Sequence, residues 1–157
     1  MDSRAIQWAR VFNPGSSIIN GSIDQIHARF YSASLIEVIE HIQPEDLPRF
    51  LMKCAQSLHP GGTLICTVPS ILKSVPPKHY QHFSAESLKR TLNPFFKSVS
   101  ICGFERDSFL TKLALQLRMN SYLRIDSPFL NRLIVSKNKR LHSSSGDCGR
   151  LLAICVK

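Results

Sequence analysis

No apolar run in this chain approaches 18 residues, so no segment has the length and character of a membrane-spanning helix. The opening residues, MDSRAIQWARVF, lack the basic start, apolar stretch and small-residue cleavage site of a secretory signal, which makes the cytoplasm the expected location. Cysteine is present but unorganised. The five (Cys54, Cys66, Cys102, Cys148, Cys155) are odd in number and form no C-x-x-C pair, which argues against a disulfide scaffold or a zinc knuckle. Four lie in apolar runs, where a reduced thiol acts as a small buried hydrophobe. Acidic side chains are scarce, 11 against 20 basic, for a net charge of +9. Residues 1–103 carry ten basic and seven acidic groups, or +3; residues 104–157 carry ten and four, or +6. A basic surface attracts phosphate-bearing partners, but a solvated basic face is the simpler account, and nucleic acid is not the favoured partner. No internal repeat is present.

What remains is an ordinary globular composition, 43% apolar and 20% charged over 157 residues, which suits one domain spanning 1–157. DSRAIQWARVF has helical spacing, with Asp2 or Ser3 placed to accept the first free amide hydrogens. SSIINGSI reads as a short strand. FYSASLI reads as another, apolar or small on both faces as in the interior of a parallel sheet. Leu47, Phe50, Leu51, Cys54, Ala55 and Leu58 follow the i, i+3, i+4, i+7 rule of an amphipathic helix. Glu45 and Asp46 are expected in its first turn, at the positive end of the dipole, and HPGG at its end. TLICTVP is a β-branched strand closed by proline. A Pro/Lys/His loop follows, then a helix capped by Ser84, the strand KSVSICGF, two further helices within 105–149, and the strand RLLAICVK. Helices alternating with apolar strands predict an α/β fold with a mostly parallel sheet and ligands at the carboxyl ends of its strands.

YSASLIEVIEHIQP places Glu37, Glu40 and His41 at one such end. An E-x-x-E-H spacing can hold a metal, trade protons, or cap and salt-bridge a local helix. His79, Tyr80 and His82 follow the next strand, where they either face an acceptor or simply fold over the sheet with Phe83 as anchor. In the 105–149 segment, the stripe Phe109, Leu113, Leu117 reads as core or interface packing, and Lys137 to Arg140 as a favourable helix C-terminus.

SLIEVIEHI, LMKCAQSLHPGGTLICTVPS and HYQHFSAESLKRTL, in that order, resemble the class I S-adenosylmethionine-dependent methyltransferases of the type 11/12 kind, from the fourth strand onward. The resemblance implies a partial Rossmann-like methyltransferase fold with an antiparallel last strand and a helical insert, residues 105–149, that shapes the acceptor region. It implies S-adenosylmethionine as cofactor and an unidentified methyl acceptor. Ser34, Leu35, Ile36 and Glu37 would line the cofactor's methionine end. Ser22 would stand near its adenine, with Asp24 close by, and His41, His79 and His82 would serve the acceptor as catalytic groups. Small-RNA 2′-O-methyltransferases of the same superfamily hold a metal with such an E-x-x-E-H and a later histidine. That gives an alternative in which Glu37, Glu40 and His41 join His79 or His82 around Mg²⁺ or Mn²⁺ and the acceptor is RNA.

The same resemblance begins late. The family's first strand, its G-x-G-x-G turn and its second strand have no counterpart, and the fourth strand opens with Phe30-Tyr31 where many relatives have Phe-Asp. The expected sheet therefore has an open apolar edge at the fourth strand, suited to self-association or to a partner chain. A truncated form, one half of a split enzyme and a non-catalytic interaction module all fit, and the chain by itself is expected to be inactive.

Overall fold

The computed structural model describes residues 3–106, 132 and 146–157. Most of the expected 105–149 insert, with Phe109, Leu113, Leu117 and Lys137 to Arg140, lies outside the described residues. The chain order is α1 (Ser3–Phe12), a 3₁₀ turn (Ile23–Gln25), β1 (Phe30–Ile36), a second 3₁₀ turn (Ile39–His41), α2 (Leu47–Gln56), β2 (Leu58–Pro69), α3 (Ala85–Leu92), β3 (Ser98–Arg106) and β4 (Cys148–Val156).

The four strands form one sheet in the order β1-β2-β4-β3. β1 and β2 are parallel, while β4 runs antiparallel to both β2 and β3. Three strands therefore share one direction and the last opposes them, as expected for a mostly parallel sheet with an antiparallel final strand. β2 is central, and alternation along it sends Leu64, Cys66 and Val68 into the core beside Leu151, Ala153 and Cys155 of β4. Leu47, Leu51 and Ala55 of α2 and Leu88 and Leu92 of α3 cover that face, with Phe83 anchoring the loop before α3. Ser84 caps α3 through a full capping box with Ser87.

Several expectations change. SSIINGSI forms no strand; its end makes the first 3₁₀ turn, capped by Ser22. A strand needs a neighbour to receive its backbone groups, and β1 is unpaired on its outer side among the described residues. β1 is accordingly an edge strand with Phe30, Tyr31, Ser32, Ser34 and Ile36 exposed; its composition suggests an interior strand, but the open edge is the one the family resemblance implies. HPGG does not end the helix either. α2 stops at Gln56, and His59 to Gly62 run within β2 as an irregularity where Phe30 pairs with Leu58 but Ser32 with Thr63. Gly61 takes φ +76 there, a left-handed conformation open to glycine. Glu45 and Asp46 precede α2; Asp46 holds the N-cap position without a side-chain cap bond. Ser3 is already helical, and Asp2 lies outside the described residues.

Candidate functional site

The carboxyl ends of β1 and β2 bring the site together. β1 ends at Ile36, and Glu37 follows with φ +54. A non-glycine residue in this region is uncommon, and the conformation costs about 1–3 kcal/mol, which surrounding contacts must offset. Two of them are visible: Thr67 receives the Glu37 N–H on its carbonyl, and Arg150 Nε lies 3.4 Å from Glu37 Oε2. Arg150 also donates to Glu105 Oε1 at 2.9 Å, and Lys73 to Glu105 Oε2 at 2.6 Å. Glu105 is the other non-glycine residue with positive φ, +55. One arginine on β4 thus joins the two strained carboxylates.

Glu40 and His41 sit not on an α-helix but on a single 3₁₀ turn. Glu40 is fully buried, and neither carboxylate oxygen has a hydrogen-bond partner among the described residues. Burial is the main cause that pushes its carboxyl pKa above the ordinary value, with the charge of Glu37 acting the same way and those of His41 and His79 in opposition. His41 is exposed; its Nε2 stands 3.9 Å from Glu40 Oε1. The Tyr80 N–H donates to the Glu40 carbonyl at 2.8 Å, tying the histidine-bearing loop onto this turn.

Backbone carbonyls assign the ring protons. Lys78 O lies 2.9 Å from His41 Nδ1, so that nitrogen carries the hydrogen and Nε2 keeps a lone pair. Lys73 O lies 3.0 Å from His82 Nδ1, so His82 Nε2 is the acceptor for His79 Nδ1–H at 2.8 Å. His79 Nε2 is thereby left with its lone pair free of this chain of bonds. The His41 and His79 rings meet edge to face, centroids 4.5 Å apart. One ligand atom from each of Glu40, His41 and His79 lies within 4.8 Å of the others.

Of the residues expected at a cofactor, Ser22, Glu37 and His41 line a single open cavity of about 620 Å³. Ser34 and Ile36 are exposed on β1, whereas Leu35 turns inward and packs against the core. Glu37 is not one of the Glu40, His41 and His79 group; its carboxylate faces Arg150 instead. Asp24, expected close to Ser22, is on the cavity wall together with two residues not anticipated here, Arg49 and Lys53: Asp24 lies 3.4 Å from Arg49 Nη2 and 3.5 Å from Lys53 Nζ. The Ser22 hydroxyl donates to Asp24 Oδ2 and, before the two cations, is the chief cause that lowers the Asp24 pKa. Among the described residues, no helix is long and apolar enough to cross a membrane.

No family model matches the chain. No curated protein matches it either. Solved structures do match its shape. A SAM-dependent methyltransferase from Archaeoglobus fulgidus superposes with a TM-score of 0.65 at 18% identity, over 99% of this chain and 73% of that one. One from Thermotoga maritima gives 0.66 at 16% identity, over 99% and 70%. The 1,6-didemethyltoxoflavin-N1-methyltransferase of Burkholderia thailandensis, solved with 1,6-didemethyltoxoflavin and S-adenosylhomocysteine, gives 0.55 at 14%, over 96% and 56%. This chain has the α/β fold of the class I methyltransferases, with a sheet of four strands among the described residues.

Proposed function

We propose that this chain carries the methionine-side and acceptor-side wall of an S-adenosylmethionine-dependent methyltransferase site. The observation that supports the reading most is the shared cavity: Ser22 and, from a second segment, Glu37 and His41 line one opening at the carboxyl end of β1. S-adenosylmethionine, when bound, supplies a methyl group on a positively charged sulfonium. Glu37 suits the methionine end by charge, and its position is fixed by Arg150 and by its own backbone. Ser34 and Ile36 present open surface beside it. His41 Nε2, with its lone pair free and Nδ1–H held by Lys78 O, receives the proton that an acceptor hydroxyl or amine gives up. His79 and His82 orient one another and the loop, so their part is positioning.

The chain contains no G-x-G-x-G turn, and only one wall of the pocket is present in it. Binding of S-adenosylhomocysteine by this chain is therefore expected in the millimolar range. Amide shifts in a nitrogen-15 NMR titration should cluster at residues 22–24 and 34–42. Shifts elsewhere, or none at millimolar ligand, sink the proposal; micromolar binding shows that the glycine turn is dispensable. An interaction module without catalysis predicts no clustered shifts.

A second reading is favoured by one observation, the buried, unpartnered Glu40 carboxylate beside two imidazole lone pairs. Glu40, His41 and His79 fit a divalent cation of the Mg²⁺ or Mn²⁺ class, each imidazole having its other nitrogen bound to a fixed partner. Glu37, held by Arg150, is left out of this set. The cation would polarise an acceptor oxygen. Selective broadening of the His41 and His79 ring signals by Mn²⁺, lost in Glu40→Gln, is the expected result; uniform broadening overturns it.

A further inference from the structure

The outer edge of β1 is the part of the sheet whose surface least suits solvent. From Phe30 to Ile36 it carries no charge and no proline, the two usual protections of an exposed edge. Tyr31 is 80% exposed, Ile36 58% and Phe30 45%. No described strand receives the backbone groups on that side.

The stretch is also complementary to itself when reversed. Set antiparallel to its own copy about a two-fold axis at Ala33, Ser32 falls opposite Ser34, Tyr31 opposite Leu35, and Phe30 opposite Ile36. Just beyond, Arg29 falls opposite Glu37, whose backbone has left the extended conformation at φ +54 and whose carboxylate is already shared with Arg150 at 3.4 Å. Small residues occupy the centre, large apolar ones lie outside them, and opposite charges close both ends. Arg29 is exposed, and neither a hydrogen bond nor an ion pair is seen for it among the described residues. A shift by one residue pairs Phe30 with Leu35 and destroys the charge match, so the complementarity selects one register.

We propose that β1 is a docking strand for a second copy of this chain, paired antiparallel about Ala33 to give a continuous eight-stranded sheet. Each strand then loses its open edge, the exposed Phe30 and Ile36 cover one another, and the isologous contact closes at two copies. The proposal draws on other observations than the methyltransferase reading, but it shares Ser34, Ile36 and Glu37 with the methionine end of that site, so pairing would cover part of it.

Sedimentation equilibrium of the full chain from micromolar to hundred-micromolar concentration should show a species of twice the 17.7 kDa chain mass. Arg29→Glu, which sets like charges opposite one another, should raise the dissociation constant by about tenfold or more, while Arg29→Lys leaves it near the parent value. Register is read separately in Ala33→Cys. Residue 33 meets its own copy at a Cβ separation of about 5 Å, so mild oxidation should link two chains. Ser32→Cys, facing a serine, and the parent chain should not link. Circular dichroism of the variants keeps loss of fold apart from loss of pairing. A chain monomeric throughout the range, equal dimerisation in Arg29→Glu, or equal cross-linking at 32 and 33 overturns the proposal.

Discussion

Glu40 is electrostatically unfavourable where it sits, because a fully buried carboxylate whose oxygens have no hydrogen-bond partner among the described residues loses its hydration with little in return. Its pKa in the folded chain lies above that of an exposed glutamate. The folded state therefore binds the proton more tightly than the unfolded state. The contribution to stability is full below the unfolded pKa and is lost as pH rises through the folded one. Glu40→Gln removes the charge while keeping the shape. At pH 8, without added metal, it should be more stable than the parent, because its side chain carries no charge to bury. Urea unfolding at pH 4 and pH 8 checks this: the parent should lose stability between the two and the variant should lose clearly less. Added Mn²⁺ reverses the order if Glu40 is a ligand, since it then stabilises the parent alone. The buried thiols follow the same physics without its cost, being neutral. Burial lifts Cys54 to about 12 and Cys155 to about 11, so both stay protonated and inert.

At the scale of elements, local signals are decisive where the physics is local. Ser84 is a cap because its hydroxyl accepts the Ser87 N–H at 3.0 Å while the Ser87 hydroxyl accepts the Ser84 N–H at 2.9 Å. Ser84→Ala should cost about 1 kcal/mol, read as a lower urea midpoint with an unchanged slope; a changed slope would mean the helix was not the element affected. α3 was legible from its periodicity and its cap, and α2, β3 and β4 from periodicity alone, signals that lie within ten residues of one another; the start and stop signals expected for α2 do not hold. SSIINGSI has a strand's composition and no strand's neighbours, so composition misled. HPGG has the appearance of a helix stop, yet parallel pairing with β1 carries it into β2 as an irregular stretch. In the site, Glu37 and His41 were readable from E-x-x-E-H. The contacts that decide their roles were not. Arg150 stands 113 positions from Glu37, and the Lys73 and Lys78 carbonyls that fix the imidazole protons have no sequence signature at all.

For the whole molecule, the described core is a sheet covered by α2 and α3, and α1 stands apart from it. None of the ten residues of α1 is buried, and Trp8, Val11 and Phe12 are more than 60% exposed. A helix of that length is marginal in water on its own. Its stability comes from local contacts such as the Trp8–Phe12 stack at 5.7 Å and the Arg10 bond to the Ile18 carbonyl. The opening free energy of α1 should therefore sit far below that of the sheet, as local unfolding does wherever few apolar contacts hold a segment. Trp8 is the chain's single tryptophan and makes the separation measurable. Its emission in the native chain should be that of a solvent-exposed indole and readily quenched by acrylamide. Across the urea transition that removes the far-ultraviolet dichroism of the sheet and helices, the emission maximum should shift little. Trp8 would then be blind to the event that unfolds the rest. Coincident transitions by the two probes would show instead that α1 is packed onto the core in solution, and that the exposed face of Trp8, Val11 and Phe12 is covered.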